Sequence, residues 1–166
     1  MDTRKKSIDI LLVEDSLTQA QMLQSLLEND GFEVRVAENG RVAIELVNSR
    51  KPDLILTDIV MPEMNGFELC REIKGCEETL DIPVILLTSL TNPEDIIEGL
   101  ACGADNFITK PFQQDYLLNH IQHILANRRL FGLDRVRIGI EVLFAGKKTL
   151  HNRQPAADAF PAAFQL

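Results

Sequence analysis

Short apolar runs alternate with stretches of helical period along most of the chain. Residues 8–13, 32–37, 53–57, 83–87 and 106–109 are strand-length, and several are apolar throughout. Such runs suit strands whose two faces are both covered by helices. Between them, apolar residues recur every three or four positions. Ala20, Leu23 and Leu27 mark a first helix that stops at Asn29-Asp30-Gly31, and Ala43, Leu46 and Val47 a second between Asn39 and Pro52. Leu69, Cys70 and Ile73 mark a third, Ile97, Leu100 and Ala101 a fourth, and Leu117, Ile121 and Ile124 a fifth. Asn65 and Asn92 supply helix starts, Gly75 and Gly103 helix stops. Strand, short turn, helix, short turn, repeated five times, predicts a doubly wound α/β sandwich, (βα)5, on a parallel sheet in the order 2-1-3-4-5.

The character changes after residue 127. Arg128, Arg129, Arg135, Arg137, Lys147 and Lys148 face only Asp134 and Glu141, which makes residues 128–150 a basic connector. A weak strand signal covers 137–144, with a turn at Ala145-Gly146. Residues 151–166, rich in Ala, Pro and Phe without a period, read as a disordered or truncated tail. The α/β domain is thus expected over 7–127. A formal net charge of -8 repels phosphate backbones and argues against direct nucleic-acid binding. No apolar run approaches the ~20 residues that cross a bilayer, and no signal peptide leads the chain, so no membrane insertion is expected. Cys70, Cys76 and Cys102 lack C-x-x-C spacing and read as reduced thiols of a cytoplasmic protein.

In open α/β sheets, ligands gather beyond the carboxyl ends of the strands. Here the first strand runs into Glu14-Asp15, the third into Asp58, the fourth into Thr88-Ser89 and the fifth into Lys110-Pro111. The expected strand order brings these ends to one rim. Three carboxylates in one place repel each other and call for a cation. Hard oxygen donors suit Mg²⁺, with Mn²⁺ as the alternative ion. An ionised Asp58 can then act as a nucleophile toward phosphorus, while Lys110 balances phosphoryl charge and Thr88 offers a hydroxyl. Taken singly, each residue has an ordinary use: Asp15 or Ser16 could simply cap the first helix. Their order on successive strand ends is what carries the reading.

With those residues in view, the chain resembles the response-regulator receiver family of two-component signalling. The matching segments are Ile10-Leu-Leu-Val-Glu-Asp15, the stretch from Asp53 to Asp58 with Met61-Pro62-Glu-Met-Asn-Gly66, that from Val84 to Ser89, and Gly103-Ala-Asp-Asn-Phe-Ile-Thr-Lys-Pro-Phe112. The resemblance implies that Glu14, Asp15, Asp58 and the backbone carbonyl of Val60 hold the metal, and that Asp58 accepts the phosphoryl group. It implies that Thr88 and Phe107 are the switch pair, Lys110 contacts phosphate, and Lys110-Pro111 is a cis peptide. It also implies a sensor histidine kinase or phosphotransfer protein as donor. The output face is then the fourth helix, fifth strand and fifth helix, used toward a downstream protein or a second copy.

Two rivals fare worse. A haloacid-dehalogenase-like phosphatase places its nucleophile after the first strand, where this chain has Glu14-Asp15-Ser16. A flavodoxin-like cofactor binder needs a hydroxyl-rich loop there, and acids repel the phosphate. A receiver-shaped module independent of phosphorylation is a third alternative, although every residue for the chemistry is present. A signalling switch rather than a turnover enzyme is therefore expected. His120 with His123, and Glu94 with Asp95 and Glu98, read as solvated faces.

In receivers, the side chains two positions after the phosphoacceptor and two after the threonine tune hydrolysis of the acyl phosphate. Here they are Val60 and Leu90. Neither can orient water, which predicts a long-lived phosphoryl state. Val60→Asn combined with Leu90→Glu should shorten the lifetime measured by phosphate release, and an unchanged lifetime rejects the assignment.

Overall fold

The computed structural model describes residues 7–89 and 92–131, with side chains as far as Arg128. In chain order the elements are β1 (Asp9–Val13), α1 (Leu17–Asn29), β2 (Glu33–Ala37), α2 (Gly40–Ser49) and β3 (Leu54–Asp58). They continue as α3 (Gly66–Gly75), β4 (Val84–Thr88), α4 (Pro93–Ala101), β5 (Asn106–Thr109) and α5 (Gln114–Phe131). The five strands form one parallel sheet in the order β2-β1-β3-β4-β5. This is the predicted fold. The connector strand and the tail lie outside the described residues.

Alternate strand residues enter opposite layers, as the pleat requires. Leu11, Val13, Ile55, Val84 and Leu86 pack toward α2 and α3, against Val47, Leu69 and Ile73. Ile10, Leu12, Leu54, Leu56, Ile85 and Leu87 pack on the other side, against Leu23 and Leu27 of α1 and Leu117 and Ile121 of α5. The central strands read as unbroken apolar runs because both faces are covered.

Helix starts follow the asparagines. The Asn39 side chain accepts from Val42 N at 3.0 Å, and Asn65 forms a capping box with Glu68, at 2.9 Å in both directions. Ser16, not Asp15, caps α1. Two strands sit one residue later than predicted, so Asp58 and Thr88 close β3 and β4 instead of following them. Each still keeps its ladder pairing, Asp58 with Leu87 and Thr88 with Thr109.

Helix α4 departs most from expectation. Its apolar triad does not face the sheet: Ile97 is 65% and Leu100 75% exposed. The one buried residue is Gly99. The contact runs through a residue without a side chain, leaving the larger ones outside. At the far end of the sheet, buried Asp9 pairs with Arg35 at 2.8 Å and Arg50 at 3.2 Å, and its N–H donates to Asp53 at 2.9 Å.

Gly66 fixes how closely α3 approaches β3. Its N–H donates to the Ile59 carbonyl at 2.9 Å, and a Cβ there would overlap the Asp58 carbonyl and lie 2.9 Å from Ile59 Cα. Gly66→Ala should therefore cost about 1–3 kcal/mol in urea unfolding, the usual range for overpacking against unyielding atoms. Gly75→Ala, which meets no atom within 4 Å, should leave stability undiminished.

Candidate functional site

The strand ends bring the predicted side chains to one rim. Glu14 directly follows β1; its N–H donates to the Ala37 carbonyl at 3.0 Å, which keeps it in line with the sheet. Its side chain is buried, and one carboxylate oxygen accepts from Ser16 N at 3.1 Å. Asp15 is exposed and Asp58 half-buried. Asp58 Oδ1 accepts from Ile59 N at 2.7 Å. Glu14, Asp15 and Asp58 each present an oxygen within 4.8 Å of the other two.

Lys110 reaches this cluster from beyond β5. Its Nζ lies 3.1 Å from Asp58 Oδ2, 3.3 Å from Glu14 Oε2 and 2.9 Å from Gln19 Oε1. The base of the lysine is fixed as well: Lys110 N donates to the Thr88 carbonyl at 2.6 Å, and Lys110-Pro111 is cis. Thr88 itself is buried at the end of β4. Phe107 on β5 is half-buried, its ring lying over Gly99, where a Cβ would come within 2.9 Å of the ring edge.

The model of the response regulator receiver domain matches residues 10–122. The chain belongs to that family. Protein PilH of Pseudomonas aeruginosa is 41% identical over 117 residues, covering 70% of this chain and 97% of its own length. Histidine kinase P4 of Formosa agariphila is 42% identical over 126 residues, but this chain spans only 9% of it. Among solved structures, the receiver domain of a Syntrophus aciditrophicus signal transduction histidine kinase superposes with a TM-score of 0.71 at 45% identity, covering 73% of this chain and 92% of that one. CheY4 of Vibrio cholerae gives 0.67 at 34%, covering 72% and 99%. The protein is thus a receiver domain of two-component signalling, and among the described residues no helix is long and apolar enough to cross a membrane.

Among the described residues, the receiver's rim carries three carboxylates against the ammonium of Lys110. Burial pushes the Glu14 carboxyl above its ordinary pKa and nearby Asp58 adds to this, while the Ser16 N–H and Lys110 hold it down. Excess negative charge among hard oxygen donors fits a small divalent cation. These residues match the acidic Mg²⁺ pocket of a receiver.

Other positions fall elsewhere. Val60, two residues past Asp58, is 61% exposed, and Leu90 lies outside the described residues. His120 is not simply solvated: the Asn106 amide donates to its Nδ1 at 2.8 Å, and the Tyr116 ring lies tilted against it, centroids 4.3 Å apart. The acidic face of α4 is also more engaged than expected. Glu98 pairs with Arg71 at 2.7 Å, and one Asp95 oxygen is buried without a partner among the described residues. Cys70 and Cys102 are buried and Cys76 exposed, all as free thiols. Gln19 is the site residue that sequence reasoning missed. A polar residue on an exposed helix turn carries no signal of its own; only its place one turn beyond Asp15 hints at the site.

Ionised Glu14 is penalised in the folded chain alone. The penalty is absent well below the ordinary value of 4.5, where folded and unfolded chains are both protonated, and is complete above the raised folded value. Glu14→Gln should therefore raise the Tm of the divalent-free receiver at neutral pH, by roughly 2–4 °C for each kcal/mol relieved. The gap should close as pH falls through that window. Calorimetry in chelator checks both points.

Proposed function

We propose that this receiver takes a phosphoryl group onto Asp58 from a histidine kinase or phosphotransfer protein, in a Mg²⁺-dependent step, and that the modified site switches a protein-docking face. The observation that carries the reading is Asp58 Oδ2 held 3.1 Å from Lys110 beside the oxygens of Glu14 and Asp15.

The Lys110 ammonium adjoins Asp58 at 3.1 Å, and the side chain reaches the rim because it ends its strand. An Asp58 oxygen forms the new P–O bond as the P–N bond of a phosphohistidine breaks. The electron pair leaves with the imidazole nitrogen, which takes a proton from solvent. Glu14, Asp15, Asp58 and the Val60 carbonyl would hold Mg²⁺, or Mn²⁺ in its place, which would supply positive charge to the phosphoryl oxygens. Lys110 donates to another of those oxygens, and Thr88 turns its hydroxyl toward a third. Apolar Val60 beside the site disfavours an ordered attacking water and prolongs the modified state. The residues do alignment and charge balance, which is most of what phosphoryl transfer needs.

Movement of Thr88 clears the way for the Phe107 ring and shifts the population of α4 and β5 arrangements. Phenylalanine has no hydroxyl to desolvate on turning inward. The face this controls is apolar: Ile96, Ile97, Leu100 and Tyr116 are exposed, beside a hollow of about 280 Å³ lined by Leu100, Phe107 and Thr109. A downstream protein or a second copy of the chain docks there. Residues 7–127 make up the receiver in this reading, and the basic segment 128–150 follows it as a connector.

Incubation with acetyl phosphate and Mg²⁺, followed by intact mass, tests the reading. Wild type should gain one phosphoryl group, whereas Asp58→Ala, or wild type in chelator, should gain none. Equal labelling of Asp58→Ala would place the acceptor elsewhere.

A further inference from the structure

An ammonium group has three protons to donate. At Lys110 two go to the carboxylates of Asp58 and Glu14, and the third, at 2.9 Å the shortest of the set, goes to the side-chain oxygen of Gln19. Gln19 stands in the first turn of α1, where its own N–H faces the Ser16 cap at 3.5 Å. The lysine therefore bridges the segment after β5 to the start of α1, across the mouth of the site.

We propose that Gln19 is a positioning residue for Lys110, holding the ammonium over Asp58 through phosphoryl transfer. The inference rests on the phosphoacceptor reading above and deepens it. Glu14 and Asp58 belong to the metal-binding set, so their oxygens have a second cation to serve. An ammonium dependent on them alone is left with four flexible methylenes when they turn away, and fixing it again costs rotamer entropy. The Gln19 amide is neutral and stands outside the carboxylate set. It can keep its bond whether or not the carboxylates are occupied, and it adds no charge to a rim that already has three acids. A carboxylate in its place would hold the lysine but repel an anionic donor. An aliphatic chain would do neither.

The test pairs a direct view of the ammonium with a rate. In the divalent-free protein, the Lys110 ammonium should give a slowly exchanging ¹⁵N-correlated proton signal, assigned by its loss in Lys110→Met. Gln19→Leu and Gln19→Met should weaken or abolish that signal, and Gln19→Glu should keep it. With acetyl phosphate and Mg²⁺, Gln19→Leu should accept phosphate about threefold to tenfold more slowly, the size expected for one modest hydrogen bond. Gln19→Glu should be slowed too, through a higher KM for the anionic donor. Retention of the signal in Gln19→Leu and Gln19→Met, with acceptance rates within about twofold of wild type, overturns the proposal. If the wild type takes up no phosphate, the phosphoacceptor reading fails, and the ammonium signal still decides whether Gln19 holds Lys110.

Discussion

Three carboxylates brought to one rim, two of them paired with Lys110, are the constraint that the fold must hold in place. Glu14 is buried, Asp58 is half-buried, and neither can relax into water without leaving its strand end. Like charges at this distance destabilise a fold unless something compensates locally or elsewhere. Lys110 compensates in part, through two ion pairs and a third hydrogen bond to a neutral amide. What remains is an electrostatic deficit fixed in place by the sheet.

Elsewhere the sheet is well satisfied. At the opposite end of the strands, Asp9 is matched by two arginines and by the backbone hydrogen bond that ties it to Asp53. Arg50 continues the network to Glu33 at 2.7 Å. Between the two ends lie two apolar layers with fully buried Leu and Ile side chains on both faces. The molecule is thus polarised. One end is closely bonded through two arginines, and the other keeps three carboxylates beside one lysine where strands β1, β3 and β5 finish. The covered parallel sheet makes that division durable, because its core does not depend on the rim.

Most of this was legible in the chain. The strands announced themselves as apolar runs, the asparagines as helix starts, and the acids, threonine and lysine as strand-end residues. Each of these signals is local, and the doubly wound topology does the rest by placing strand ends side by side. What could not be read depends on how far a side chain reaches. Gln19 looks like any polar residue on a helix surface until Lys110 arrives from 91 positions away. His120 looks solvated until Asn106 is set opposite it. Helix α4 was misjudged for a packing reason: its apolar triad has the spacing of a core face, but a glycine makes the contact. Periodicity identifies a stripe, not what the stripe faces.

That glycine has a further consequence. Because the Phe107 ring rests where a Gly99 side chain would be, ring and helix share one volume. The helix cannot settle nearer the sheet while the ring is there. The position of a single aromatic side chain thus limits how closely an entire helix seats.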